Sequence, residues 1–174
     1  KKIKKEYKHF KYIYVAKKSG QMIMHPQVKL GSDYIPQDRV WYQKAIEQNE
    51  LIWTDSYLDA NDNYLMITVA IPIENNNGEF IGVLAGDILL KDLSHTIADK
   101  KIGETGYAYI TNEKGEVIAH PNAEFIKNKY NIDQVMNYNQ ILKKGKGFIK
   151  YKDSVNDKKL ASYVSIKRLN GIIF

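Results

Sequence analysis

Short apolar runs bounded by turn residues predict β-strands in the first half of the chain. Four such runs are Tyr12–Ala16, Met22–His25, Leu65–Ile73 and Glu79–Leu90. Gly20 separates the first two runs, and Asn77-Gly78 separates the last two, as in a tight hairpin turn. The pattern therefore predicts two hairpins in this half of the chain.

Three other segments show the apolar spacing of helices. They are Lys1–Lys11, Val40–Gln48 and Lys91–Lys101. In the first segment Ile3, Tyr7 and Phe10 share one face, and lysines surround the rest. Asp38 precedes the second segment, where its side chain can cap the free N–H groups. The order of strands, turns and helices indicates an α+β fold.

An internal repeat divides the chain in two. Tyr14 recurs as Tyr109, and at the same offset of 95 residues a glycine, a histidine and a proline recur in the segment that follows. The same offset pairs Leu65 with Leu160, Val69 with Val164 and Ile71 with Ile166. The strands expected in the second copy are Tyr107–Thr111, Val117–His120, Gly147–Lys152, Leu160–Ile166 and Gly171–Phe174. The sequence therefore predicts an α+β fold of two antiparallel sheet modules in tandem.

The distribution of charge argues against a nucleic-acid partner. The 174 residues carry a net charge of +6, but residues 1–11 alone hold six lysines against one glutamate. The remainder is close to neutral and offers no basic face that could follow phosphates. The chain has no cysteine, which excludes a disulfide scaffold and thiolate metal sites.

Both ends of the chain read as interrupted elements. The first residues lie within the lysine-rich helix, and Gly171–Phe174 reads as the start of a strand. No apolar run reaches the roughly 18 residues of a membrane span, and no signal peptide is recognisable. We therefore expect this chain to be a piece of a longer protein.

One arginine, two aspartates and several aromatic residues in the first copy can together hold a small zwitterion. They are Arg39, Asp59, Asp87, Tyr34, Trp41, Tyr42 and Tyr57. A guanidinium group fits a carboxylate with two parallel hydrogen bonds, whereas aspartates and aromatic faces attract an ammonium group. A free α-amino acid carries both charges, so its burial requires both counter-charges at once.

The order of these motifs resembles the double Cache (dCache) sensor domain. The resemblance is carried by Tyr34, residues 38–42, 53–59, 67–73, 81–88 and 102–109, Gly115 and His120-Pro121. It implies two PAS-like modules on a stalk helix, outside the membrane, as in chemoreceptors, histidine kinases and cyclases. The boundaries it implies are 1–11 for the end of the stalk helix, 12–90 for a membrane-distal ligand-binding module, 91–101 for a linking helix and 102–174 for a truncated membrane-proximal module.

The members of that family that bind amino acids share a narrower motif, and this chain is similar to it in every element. By resemblance, the ligand carboxylate is taken by Arg39, Trp41 and Tyr34. The ammonium group is surrounded by Tyr42, Asp59 and Asp87, with Tyr57 in the same Tyr-x-Asp element as Asp59. The pocket wall that meets the ligand side chain is expected to include Tyr64, Met66 and Thr68, whose lack of charge favours an uncharged ligand.

Val40 departs from the family, which often has proline at this position. If the helix began at Asp38, Arg39 and Trp41 would point about 200° apart around its axis. The two residues can share a pocket only if Arg39 lies in the turn before the helix. We expect that geometry, with Asp38 near the cap.

Each of these residues also has an ordinary structural interpretation. Arg39 could form a surface ion pair, Trp41 and Tyr42 could belong to the core, and Asp87 could cap the following helix. The second copy lacks the Arg-x-Trp-Tyr element. We therefore expect the second module to pass on a signal without binding this ligand.

The function predicted from the sequence is that of the extracytoplasmic ligand-binding domain of a bacterial transmembrane chemoreceptor, at the cell membrane, sensing a free amino acid. The resemblance also implies a homodimer through the stalk helix of the intact receptor. We expect no enzyme activity, cofactor or metal site, because no such motif occurs and His25 and His120 recur as a repeated structural pair. Two alternatives stay open, the ectodomain of a sensor histidine kinase or cyclase with another small ligand, and a secreted adhesion or sugar-binding module.

Overall fold

A computed structural model describes residues 9–60, 62–100, 102–153, 155–166 and 171–174. The chain divides into two compact units, Lys1–Leu89 and Leu90–Phe174. In the part of the chain that the structure describes, each unit contains one antiparallel sheet. The predicted α+β class with two tandem sheets is therefore confirmed.

The sheet of the first unit contains six strands among the described residues. They are β1 (Tyr12–Lys17), β2 (Met22–His25), β3 (Ile52–Trp53), β4 (Tyr57–Leu58), β5 (Leu65–Glu74) and β6 (Phe80–Leu89). Their order is β2-β1-β6-β5-β3, and β4 also pairs with β5. The predicted turn between β5 and β6 is confirmed, since Gly78 has φ 78° and the Asn75 side chain accepts hydrogen bonds from the backbone of Asn77 and Glu79.

Alternation along the strands sends one set of side chains to a buried face of this sheet. On that inner face Tyr12 stands opposite Asp87, and Tyr14 stands opposite Ala85. Helix α1 (Val40–Gln48) has the predicted bounds and covers the same face with Trp41, Tyr42 and Ala45 buried. The inner face therefore combines an apolar core with one acidic position on its central strand.

The second unit begins with helix α2 and repeats the strand order of the first. Its elements are α2 (Leu90–Ala98), β7 (Ile110–Thr111), β8 (Val117–Ala119), α3 (Glu124–Lys127), α4 (Tyr138–Lys144), β9 (Lys146–Lys152), β10 (Lys158–Ile166) and β11 (Gly171–Ile173). The sheet order is β8-β7-β11-β10-β9, so the first hairpin lies beside the last strand in both units. This agreement supports the repeat that the offset of 95 residues indicated.

Several predicted elements differ in extent from the observed ones. The predicted helix Lys1–Lys11 falls largely on residues 1–8, which lie outside the described residues, and residues 9–11 are not helical. The predicted linking helix is observed as Leu90–Ala98, because the chain passes from β6 into the helix without a turn. The predicted strand Tyr107–Thr111 is reduced to β7, although Tyr109 still exchanges two backbone hydrogen bonds with Phe174.

Two short helices, α3 and α4, were not predicted. Asn137 caps α4 by accepting a hydrogen bond from the backbone N–H of Gln140. Among the helices of the described residues, none has the length and apolar character that crossing a membrane requires.

Candidate functional site

A cavity of about 120 Å³ opens on the inner face of the first sheet. It lies among β1, β2, the loop after β2, the start of α1, and the strands that carry Tyr57, Met66 and Asp87. Its described lining residues are Tyr12, Tyr14, Met22, Met24, Val28, Lys29, Leu30, Gly31, Tyr34, Arg39, Trp41, Tyr57, Asp59, Ala60, Met66 and Asp87. Six of the seven residues that the sequence singled out are among them.

Asp87 lies on the central strand β6 and is 4% exposed. Its Oδ1 accepts hydrogen bonds from the Tyr14 hydroxyl at 2.8 Å and the Thr68 hydroxyl at 2.7 Å. No described residue donates a hydrogen bond to its Oδ2. One oxygen of the carboxyl group is therefore held in place, and the other is left for a donor in the cavity.

The Tyr57 hydroxyl extends this hydrogen-bond arrangement through Thr68. The Tyr57 and Thr68 hydroxyl oxygens are 2.5 Å apart. Thr68 has one hydroxyl hydrogen and donates it to Asp87, so Tyr57 must be the donor to Thr68. The relay Tyr57–Thr68–Asp87 fixes the orientation of the carboxyl group.

Burial changes the protonation of these groups. It raises the pKa of Asp87 to about 6, although the hydrogen bonds from Thr68 and Tyr14 act in the opposite direction. Burial, reinforced by the charge of Asp87, also raises the pKa of Tyr14 and of Tyr57 well above the ordinary range. Both phenols therefore stay protonated and act as donors at neutral pH.

Arg39 lies immediately before α1 in an extended conformation, with φ −83° and ψ 141°. The expectation that it lies in the turn before the helix is therefore confirmed. Among the described residues, no carboxylate lies within ion-pair distance of its guanidinium group. Arg39 lines the cavity, so its charge is available to an anion there and the interpretation as a surface ion pair is not supported.

The expected cap of α1 is corrected by the structure. Arg39 occupies the N-cap position, and no side chain caps the helix. Asp38 instead ends a 3-10 turn, Pro36–Asp38, that precedes Arg39. The helix therefore begins one residue later than a cap at Asp38 would require.

Tyr34 and Trp41 complete the arginine side of the cavity. The guanidinium carbon of Arg39 lies 5.4 Å from the centre of the Tyr34 ring, within the range of a cation–π contact. Burial raises the pKa of Tyr34, while the charge of Arg39 and a hydrogen bond from Trp41 oppose that rise. Trp41 packs edge-to-face against Tyr14 at 5.1 Å. Donors and aromatic faces therefore converge here.

Asp59 is buried and lines the cavity. Its Oδ2 lies 2.5 Å from the Nζ of Lys11, so its charge is already paired within the protein. The sequence had placed Lys11 at the end of a solvated helix. The structure corrects this, since Lys11 lies at a bend before β1 and its side chain is only 13% exposed.

The structure does not bring Tyr42 to the cavity. Successive helical residues point about 100° apart, so Trp41 and Tyr42 cannot both face the same space. Tyr42 packs in the core, with its ring centre 6.3 Å from that of Phe80. Of the expected wall residues Met66 lines the cavity, whereas Thr68 and Tyr64 are not among its described lining residues. Thr68 donates a hydrogen bond to Asp87, and Tyr64 is 49% exposed.

Nine of the lining residues were not singled out from the sequence. Alternation along β1 could have indicated Tyr12 and Tyr14, because they fall on the buried face with Ala16. The others belong to β2 and to irregular segments, where no periodicity predicts which side chains point inward. Met22, Met24, Val28 and Leu30 form an apolar wall, and Lys29 adds an exposed cation.

The second unit contains a smaller cavity, of about 60 Å³. Its described lining residues are Tyr107, Tyr109, Val117, His120, Phe125, Tyr130, Ile132, Val135, Tyr151 and Asp153. His120 stacks on Phe125 at 4.3 Å, and burial lowers the pKa of its imidazole. None of these residues is an arginine, so the pairing of charges found in the first unit has no counterpart here. In the part of the chain that the structure describes, no three acidic or histidine side chains converge on a metal site.

Comparison with known proteins gives consistent results. A family model described as Cache domain matches residues 1–173. The methyl-accepting chemotaxis protein McpA of Pseudomonas putida is 31% identical over 118 residues, which cover 67% of this chain and 18% of that protein. The chain thus spans less than a fifth of the length of this curated relative.

Solved structures share the fold. The ligand-binding domain of the Pseudomonas aeruginosa amino acid chemoreceptor PctB, in complex with L-Arg, superposes with a TM-score of 0.74 at 24% identity, covering 96% of this chain and 70% of that one. The ligand-binding domain of the Pseudomonas fluorescens chemoreceptor CtaA, in complex with L-leucine, gives a TM-score of 0.75 at 22% identity, covering 98% and 71%.

Proposed function

This chain belongs to the Cache domain family, and on that premise we propose that its first unit binds a free α-amino acid in the cavity on the inner face of its sheet. One observation carries the proposal. Among the described residues, Arg39 has no carboxylate partner and the Oδ2 of Asp87 has no donor, and both residues line the same cavity. A zwitterion supplies the carboxylate that the first lacks and the ammonium that the second lacks.

The electrostatics of Asp87 favour an ammonium ligand. A carboxylate that is buried without a counter-charge is unfavourable, which is why its pKa is raised to about 6. An ammonium group at Oδ2 would remove that penalty, because a charge-assisted hydrogen bond is strong in a partly desolvated site. Trp41, Tyr34 and Arg39 would take the carboxylate end, since all three present donors.

The apolar wall indicates which side chain the ligand carries. Met22, Met24, Val28, Leu30 and Met66 line the space beyond the charged groups. Methionine is unbranched and adapts to several apolar shapes. We therefore propose an amino acid with an uncharged, apolar side chain.

The signal would depend on two states of the receptor that differ in their affinity for the amino acid. Relatives of this chain are methyl-accepting chemotaxis proteins. We propose that the intact protein is a chemoreceptor of this kind, anchored in the cell membrane and dimeric, with this chain on the extracytoplasmic side. Micromolar binding supplies about 8 kcal/mol, of which only the difference between the two states shifts the equilibrium.

Isothermal titration with the twenty L-amino acids, starting with L-leucine, tests the proposal. Arg39→Ala should weaken binding by about 2–5 kcal/mol, because it leaves the ligand carboxylate buried without its partner. Lys18→Ala is the matched control, since it removes an exposed cation of the same unit that does not line the cavity. Affinity in Arg39→Ala equal to that of the wild type, or failure of the wild type to bind any amino acid, would show that the proposal is wrong.

A further inference from the structure

The cavity of the second unit contains a buried imidazole with one unpaired ring nitrogen. His120 is 7% exposed, and its Nδ1 lies 2.9 Å from the backbone nitrogen of Asn122. A backbone N–H can only donate, so Nδ1 is the acceptor and carries no proton. Burial lowers the pKa of His120, so the ring is neutral and its proton is on Nε2. In the part of the chain that the structure describes, Nε2 has no hydrogen-bond partner.

The packing of the ring leaves this N–H to the cavity. His120 lines the cavity, and its Nδ1 edge is turned toward the backbone of Asn122. One ring face stacks on Phe125 at 4.3 Å, and Tyr107 meets the ring edge-to-face at 5.0 Å. A buried donor without an acceptor is unfavourable and rare in native proteins. The arrangement therefore calls for an acceptor atom inside the cavity.

Two tyrosines supply a second donor. Tyr109 and Tyr151 both line the cavity, and their hydroxyl groups interact with each other. Burial raises the pKa of both phenols, so both keep their protons at neutral pH. Only one of the two hydroxyl hydrogens can lie between the two oxygens, so the other is left for an acceptor.

The charges around the cavity favour an uncharged ligand. Asp153 is the carboxylate among the described lining residues. Its Oδ1 accepts hydrogen bonds from the backbone N–H groups of Val155 and Asp157. Its Oδ2 lies 3.4 Å from the Nζ of Lys159, so a ligand cation would find this charge already paired. A cation also cannot accept the proton of Nε2. No lysine or arginine is among the described lining residues, so an anion would be buried without a counter-charge.

The remaining wall and the volume limit the size of the ligand. Val117, Ile132, Val135 and Phe125 make this part of the wall apolar. The cavity measures about 60 Å³, and one water molecule takes about 10–15 Å³ of such a space. The cavity therefore has room for roughly four to six non-hydrogen atoms.

We propose that this cavity is a second binding site, for a small uncharged molecule that combines an acceptor oxygen with a short apolar body, as a short-chain amide does. The Nε2–H of His120 anchors the oxygen, and the apolar side chains surround the carbon chain. The inference goes beyond the amino acid site, because no described lining residue of this cavity lines the cavity of the first unit. The chain then has two ligand sites of different chemistry.

The test titrates the whole chain with three ligands of equal size, propionamide, propionate and n-butylammonium. NMR spectroscopy follows the backbone amides and the Nε2–H of His120. Propionamide should bind with a dissociation constant of millimolar order, since so small a ligand makes few contacts. Both charged ligands should bind at least about tenfold more weakly, because each brings a charge that the cavity does not balance. On binding of propionamide the Nε2–H resonance should shift, and exchange of its proton with water should slow.

A pair of variants assigns the effect to the imidazole. His120→Phe keeps an aromatic ring beside Phe125 but removes the N–H, and it should weaken propionamide binding by about tenfold. His95→Phe makes the same change at an exposed position of the same unit and should leave the affinity unchanged. If His120→Phe does not fold, the Nε2–H resonance of the wild type decides the question without a variant.

Three outcomes would overturn the inference. The first is an unchanged Nε2–H resonance at propionamide concentrations well above millimolar, which would show that water alone fills the cavity. The second is equal affinity in a folded His120→Phe. The third is tighter binding of propionate or n-butylammonium than of propionamide at this site. None of these outcomes bears on the amino acid site of the first unit, which Arg39→Ala tests separately.

Discussion

The buried carboxylate of Asp87 should make the unliganded first unit less stable than the same unit with a neutral side chain. Its pKa is raised from an ordinary 3.8 to about 6. A group with a raised pKa in the folded state contributes stability that is complete below the ordinary pKa and is lost as the pH rises through the folded value. At about 1.4 kcal/mol per unit, the loss at neutral pH amounts to about 3 kcal/mol.

Asp87→Asn measures the stability that the buried charge costs. Asparagine keeps a side-chain oxygen that can accept the hydrogen bonds from Tyr14 and Thr68, but it carries no charge. At pH 7.5 we expect the free energy of unfolding of the first unit to rise by about 3 kcal/mol relative to the wild type. At pH 4.5, where the wild-type carboxyl group is protonated in the folded state, the gain should fall to about 1 kcal/mol.

The two tryptophans provide the assay. Trp41 and Trp53 are the two tryptophans of the chain, and both belong to the first unit. Tryptophan fluorescence during urea unfolding therefore follows this unit without a contribution from the second. The gain in free energy should come with a loss of amino acid binding, because the ammonium group would then meet a neutral amide.

Asp38→Asn is the matched control, because it makes the same chemical change at an exposed position of the same unit. It should leave the free energy of unfolding nearly unchanged at both pH values. Equal stability of Asp87→Asn and the wild type at pH 7.5, or a gain of the same size at pH 4.5, would refute the reasoning about burial.

Two further predictions concern the same centre. Tyr14→Phe removes a direct donor to Asp87 and should weaken amino acid binding by about 1.5–3 kcal/mol. Tyr57→Phe acts only through the relay and should weaken binding by about 1 kcal/mol. Isothermal titration measures both effects, and a larger effect of Tyr57→Phe than of Tyr14→Phe would contradict the relay. In the wild type, binding of the ligand ammonium requires a deprotonated Asp87, so below a pH of about 6 the affinity should fall by up to tenfold per pH unit. A constant affinity in titrations from pH 5 to pH 7.5 would contradict the role of Asp87 as the partner of the ammonium group.

The charged residues of the site could be predicted from the sequence, because an arginine and an aspartate in this order among aromatic residues is a rare combination. Arg39 and Asp87 have side chains whose burial requires an opposite charge, so their order along the chain already indicated a ligand. The position of Arg39 in the turn followed from helix geometry once the resemblance placed Arg39 and Trp41 in one pocket. Trp41 was found by the same motif, and the structure adds that its ring packs against Tyr14.

Other parts of the site depend on tertiary structure that local patterns do not encode. Tyr42 is adjacent to Trp41 in sequence, but the helix turns it toward Phe80. Lys11 read as one of many solvated lysines, and only the fold brings it to Asp59. Leu30 belongs to a loop without regular spacing, so nothing in the sequence predicts that it faces the cavity.

Three of the four methionines of the chain, Met22, Met24 and Met66, line the cavity proposed to bind the ligand. Thioethers are the apolar side chains that oxidants modify most readily, and a sulfoxide is polar. Under the proposed function, oxidation would therefore make the wall that receives an apolar side chain polar, while Arg39 and Asp87 stayed intact. Binding of an apolar amino acid would then weaken, and reduction of the methionine sulfoxides would restore it.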